Sequence, residues 1–155
     1  MPGRLVGWGY QGHTLGDLTQ SMRESRATHL IDVRLTPVSR VKGFSKTRLR
    51  DHIESQGFIY EHLPQLGNPK DNRAGYATPD TSAARRAHMR YMKEVLDSES
   101  GKKAIHYLSS LIEAEEVVYL LCFENDQRCC HRDQIIDEVS RTRDTNIFAT
   151  MAVAG

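Results

Sequence analysis

The run Val117–Phe123, VVYLLCF, is apolar from end to end. It is too short and too continuous for a surface helix, and it predicts a buried strand. A polar loop over 125–128 follows. Cys130-His131-Arg132 then open a pattern that puts Ile135, Ile136 and Val139 on one helical face. Glu124 stands where the strand runs out, and the Cys-His-Arg triplet where the helix begins. Unpaired backbone N–H groups at a helix start face whatever binds there. A buried strand feeding a helix belongs in a sheet covered on both faces, and such sheets bind ligands beyond the carboxyl ends of their strands.

The rest of the chain reads the same way. Arg4–Tyr10, His29–Val33 and Phe58–His62 have strand character, and Thr145–Val153 is expected as a last strand. Thr14 caps a helix carrying Leu15, Leu18 and Met22. Ser45 caps a second, with Leu49 and Ile53 inward and Gly57 closing it. Thr78-Pro79 opens a basic helix holding Arg85, Arg86, Arg90 and Lys93, and another helix covers about 102–114. Strands alternating with helices predict one α/β domain over 1–155, three-layered and Rossmann-like, its mostly parallel sheet flanked by helices. The loop at 63–78 is long for a connector in so short a chain, which marks it as functional.

Composition narrows the classes. A net charge of +1 with 26% charged residues neither demands nor excludes nucleic acid, because a neutral total can hide a basic face. No run reaches membrane-span length and the first residues lack a signal-peptide core, so a cytoplasmic protein without membrane contact is expected. Three cysteines, two of them adjacent, make no disulfide framework and fit a reducing compartment.

Polar side chains gather at the strand ends: Tyr10 and His13 after the first, Asp32 and Arg34 at the second, His62 at the third, Cys122 and Glu124 at the central one. Asp32 and Arg34 share a strand face, where a carboxylate and a guanidinium can orient a ligand or pin a loop. Ligand contact ranks ahead for Arg34, the structural role for Asp32. Cys130 reads as a thiolate nucleophile, as part of a metal site, or as a small packed residue in an anion-binding helix start. The last ranks first. A metal is not expected, since Cys122, Cys129, Cys130 and His131 lack a paired C-x-x-C. Glu124 is the best acid, base or nucleophile, suited to stabilise or trap the oxocarbenium-like centre of a breaking glycosidic bond. Basic residues crowd two segments, Arg34 to Arg50 and Lys70 to Lys93, with Phe44, Tyr60, Tyr76 and Tyr91 among them. That mix suits bases and phosphates, and equally a solvated helix surface.

At these motifs the chain resembles the family called domain of unknown function 488. The matching pieces are Gly9-Tyr10 with Gly12 and Thr14; Asp32-Val33-Arg34 with Pro37, Ser39 and Arg40; and Gly43-Phe44. Tyr60 with His62-Leu63-Pro64 and Leu66-Gly67 follow, then Leu121-Cys122 with Glu124, and Cys130-His131-Arg132. Two positions depart from the pattern: Asn68 where a second glycine is common, and Cys129, which doubles the usual single cysteine. The resemblance implies the α/β domain with its site at the strand ends, and a remote kinship with nucleoside deoxyribosyltransferases and N-glycosidases.

Together these readings favour an enzyme that breaks or transfers an N-glycosidic bond in a nucleotide or nucleic acid, DNA ahead of RNA, with no cofactor. Glu124, Asp32 and Cys130 are the candidate catalytic groups. Tyr10, His13, Arg34, Ser39, Arg40, Phe44, Tyr60, His131 and Arg132 are the candidate binding groups. Thiol chemistry at Cys130, as sulfur transfer or redox sensing, is the alternative, as is a non-catalytic nucleic-acid-binding module.

Overall fold

Four strands lie in the order β1 (Arg4–Gly9), β4 (Val117–Cys122), β2 (His29–Asp32), β3 (Ile59–His62), every neighbouring pair parallel. The computed structural model describes residues 2–154, with side chains through residue 143. β4, the apolar run, is buried along its whole length between β1 and β2. Its alternate residues divide the core. Val118, Leu120 and Cys122 face one layer, and Val117, Tyr119 and Leu121 the other, as a two-residue side-chain period requires.

Helices α1 (Leu15–Glu24) and α2 (Lys46–Ser55) cover the second face through Leu18, Met22, Leu49 and Ile53. Thr14 caps α1 as expected, accepting from Asp17 N while the Asp17 carboxylate accepts from Thr14 N. The first face is covered by α3 (Ser82–Tyr91), α4 (Glu99–Glu113) and α5 (Arg132–Ala154). Tyr91, Leu108, Ile112, Ile135 and Val139 are its packed side chains. The expected three-layer α/β architecture is the one observed, with the sheet parallel throughout.

Three expectations are corrected here. Thr145–Val153 is helical, forming the end of α5. No glycine or proline interrupts 132–154, so the helix begun at Arg132 runs on through the stretch expected as a last strand. The basic helix starts at Ser82 with Thr81 as its cap. Thr81 Oγ1 accepts from Ala84 N and donates to the Thr78 carbonyl, so Thr78 supports the cap without being it. The first helix-capping serine also behaves differently: Ser45 Oγ donates to Ser39 O and accepts from Ser39 N, tying down the 35–45 loop.

The long loop is three short 3-10 turns, Pro64–Leu66, Lys70–Asn72 and Ala74–Ala77. Tyr91 OH donates to Leu66 O at 2.6 Å, and Asn72 Nδ2 donates to Asn68 Oδ1 and Ala87 O, each at 3.0 Å. Gly67 permits the loop to touch the segment after β2, because a Cβ there would lie 2.5 Å from Leu35 Cα. These bonds hold the loop as a wall above the sheet's carboxyl edge.

Candidate functional site

A cavity of about 460 Å³ opens at that edge. Its walls come from the ends of β1 and β4, the 35–41 segment, the 68–76 loop and the approach to α5. Of the residues expected to act on a ligand, Tyr10, Arg34, Ser39, Arg40, Glu124, Cys130 and His131 line it. Asp32, Phe44, Tyr60, His13 and Arg132 do not. Each of the five has a different setting.

Asp32 is fully buried and accepts four hydrogen bonds. Arg34 N and Nε donate to Oδ1 at 3.2 and 2.8 Å, while Arg34 Nη2 and Tyr60 OH donate to Oδ2 at 2.7 and 2.6 Å. That saturates the carboxylate, which is a bidentate anchor for Arg34 with no lone pair turned to the cavity. Burial works against the charge on Arg34, but the Asp32 carboxylate outweighs it and holds the guanidinium above its ordinary range. Tyr60 is likewise pushed up, by burial first and then by the carboxylate it donates to. Arg34 Nη1 donates to Phe44 O at 2.7 Å and to Tyr10 OH at 3.3 Å, and Tyr10 stacks on Phe44 with ring centroids 4.5 Å apart. Arg34 therefore reaches the cavity with most of its donors spent. His13 sits outside, between Asp17 and Asn125.

Glu124 faces the cavity half-buried, its Oε2 3.6 Å from Cys122 Sγ. Exposed Arg40 and Arg73 line the same cavity from the two loops, with Phe123 and the buried Tyr76 as further aromatic surface. Tyr76 donates to Gln134 Oε1, and burial pushes its hydroxyl up. Arg73 and Tyr76 were visible in the sequence only as members of a basic, aromatic stretch; their place in the wall follows from how the 63–78 loop folds.

The triplet before α5 divides its labour. Cys130 is buried and bonded to Cys122 in a disulfide, while Cys129 is free and lines the cavity. The expectation of unpaired thiols is thus corrected: the loop after β4 returns the chain so that residues eight apart meet. Cys122, Cys130 and His131 also bring their ligating atoms within 4.8 Å of one another, but the sulfur–sulfur bond consumes both thiolates a metal would use. His131 is buried, with Nε2 2.9 Å from the Val33 carbonyl. A carbonyl only accepts, so Nε2 carries the proton and Nδ1 keeps its lone pair. Burial pulls His131 down to about 4, leaving it neutral. Arg132 turns away from the cavity and lies under β1, 1% exposed, with Nη1 donating to Cys122 Sγ at 3.1 Å. Gly9 makes this possible, since a Cβ there would come 2.8 Å from Arg132 Nη1; one at Gly7 would meet Gln127 Oε1 at 1.9 Å and lie only at contact distance, 3.4 Å, from Arg132 Nε.

A family model described as "Domain of unknown function DUF488" matches residues 14–139, most of the chain and the whole of the cavity wall beyond β1. The chain belongs to the DUF488 family. No curated protein and no solved structure matches it. The DUF488 match includes both the Asp32–Arg34 anchor and the Glu124 to Arg132 segment.

Proposed function

We propose that this DUF488 protein binds a nucleotide, or a nucleotide unit of DNA, in the cavity and breaks or transfers its N-glycosidic bond. One observation carries the reading: among the described residues lining the cavity, Glu124 is the one carboxylate, set among Arg34, Arg40 and Arg73. A ligand complementary to that pattern is anionic at one end and develops positive charge at another. A nucleotide losing its base fits, because its phosphate meets exposed guanidiniums while the sugar carbon becomes oxocarbenium-like. The cavity volume falls in the range of small-ligand sites, and Tyr10 and Phe123 offer ring surfaces to a base.

In this reading Arg40 and Arg73 hold the phosphate. Arg34, fixed by Asp32, orients Tyr10. Glu124 stabilises the sugar cation or captures it as a glycosyl ester, which water or an acceptor then releases. The test is base release from labelled nucleotides and short DNA by wild type and Glu124→Gln, with thermal unfolding to follow binding. The expected result is a Glu124→Gln protein whose midpoint still rises with ligand while release falls at least about a hundredfold. Undiminished release by that variant overturns the assignment.

A further inference from the structure

Arg132 is a buried cation that no carboxylate among the described residues contacts directly; Glu124, Asp126 and Asp133 act on it only from beyond ion-pair distance. None of the ion pairs among the described residues includes it, and its buried Nε has no hydrogen-bond partner there. Its one contact of that kind is Nη1 to Cys122 Sγ at 3.1 Å. Burying a guanidinium with no carboxylate hydrogen-bonded to it is costly, distant carboxylates offset that cost only in part, and a disulfide sulfur, neutral and a weak acceptor, adds little. A thiolate would. The surroundings of Cys122 therefore suit its reduced, anionic form better than its oxidised one. Gly9 on β1 clears the space that the guanidinium occupies, since a Cβ there would lie 2.8 Å from Arg132 Nη1.

The second sulfur has a complementary partner. With its proton fixed on Nε2 by the Val33 carbonyl, His131 presents the Nδ1 lone pair 3.5 Å from Cys130 Sγ, where a thiol at Cys130 donates its proton. A purely structural disulfide needs neither device. Both sulfurs belong to residues lining the cavity, so a small molecule has a route to them.

We propose that Cys122 and Cys130 form a redox-active dithiol–disulfide pair that exchanges with small-molecule disulfides of the glutathione type through the cavity, Arg132 holding Cys122 as the thiolate and His131 holding the Cys130 proton. In the oxidising direction the Cys122 thiolate attacks one sulfur of the incoming disulfide. A mixed disulfide forms and the first small thiolate leaves. Cys130 Sγ then attacks Cys122 Sγ, forming the intramolecular bond and expelling the second small thiolate, which takes up the Cys130 proton by way of His131 Nδ1. One protein disulfide is gained, one small disulfide is lost, and two electrons pass to the small molecule. Reduction is the reverse. The charges nearest the pair are Arg132 and Glu124: the Glu124 carboxylate, 3.6 Å from Cys122 Sγ, opposes the thiolate, and the guanidinium at 3.1 Å favours it; farther off, Asp126 and Asp133 act on Arg132, and Arg73 acts on His131. Burial brings Arg132 down to about 10, which leaves it cationic at neutral pH.

The test uses the full chain carrying Cys129→Ser, so that the free thiol does not intervene. The protein is equilibrated in buffers of graded reduced-to-oxidised glutathione ratio, trapped with iodoacetamide, and the Cys122–Cys130 linked peptide is quantified by mass spectrometry. The linked fraction should rise and fall reversibly with the ratio, as a two-electron couple. In the reduced protein, the alkylation rate of Cys122 at pH 6 should fall about tenfold in Arg132→Gln, its pH profile moving upward, and recover in Arg132→Lys. A linked fraction that stays constant across the whole range in folded protein overturns the proposal, whatever the variants do. So does an Arg132→Gln profile that superimposes on that of the unsubstituted chain.

Discussion

Asp32 holds Arg34 through two parallel hydrogen bonds and receives a third group, the Tyr60 hydroxyl, with no exposure to solvent. Removing its charge strands a buried guanidinium, so Asp32→Asn should destabilise the protein by about 3–5 kcal/mol. Tyr60→Phe, which removes one donor only, should cost about 1 kcal/mol. Urea unfolding at neutral pH measures both. A near-neutral Asp32→Asn with lost turnover would move Asp32 from anchoring into chemistry. His131 makes a pH prediction. Its folded-state value lies near 4, below the ordinary 6.5, so between those values the unfolded chain binds the proton that the folded one refuses. Stability is therefore undiminished above pH 6.5 and falls as pH drops toward 4, by about 3 kcal/mol from this group. Urea midpoints across that window should slope steeply in wild type and less so in His131→Gln; parallel slopes would place the charge change elsewhere.

For the secondary-structure elements, β1 and α1 supply a contrast between two glycines. Gly9 ends β1 where a Cβ would lie 1.8 Å from Glu124 O and 2.8 Å from Arg132 Nη1, so Gly9→Ala must push apart the strand end, Glu124 and the buried arginine. A loss of about 1–3 kcal/mol is expected, with altered Cys122 reactivity. Gly16 lies inside α1 with only Thr14 Oγ1 near its Cβ position, at 3.6 Å, so Gly16→Ala should stabilise by about 0.5–1 kcal/mol. Calorimetry on the two variants should show midpoints moving in opposite directions; a matching fall in both would refute the steric account. Much at this scale was legible beforehand. Four of the five expected strands formed, and Thr14 became a reciprocal cap, because burial and local hydrogen bonding act over a few residues. The start of α3 and the course of α5 were misread for the same reason. Thr78 and Thr81 are equally good caps in isolation, and β-branching in 145–153 competes with a helix already nucleated upstream.

Across the whole molecule, what the sequence hid was long-range. The placement of β4 between β1 and β2, the Cys122–Cys130 bond and the burial of Arg132 all depend on chain returns that no local pattern encodes. An arginine at a helix start ordinarily meets solvent or an anion. Here the glycine face of β1 draws it inward, and the cations left at the cavity mouth are Arg40 and Arg73, brought together from segments on either side of β3. The parallel topology explains why these pieces meet: every strand points its carboxyl end the same way, so β1, β2 and β4 deliver Tyr10, Arg34 and Glu124 to one edge. The claim on which all else depends is that this edge is where a ligand binds. Titrating isotope-labelled protein with a nucleoside monophosphate, and following backbone and arginine side-chain NMR signals, tests it directly. Shifts concentrated at Tyr10, Arg40, Arg73 and Glu124 are predicted. Shifts confined to the outer faces of α2 and α3, with the cavity silent, would contradict the account and make the basic helices the binding surface.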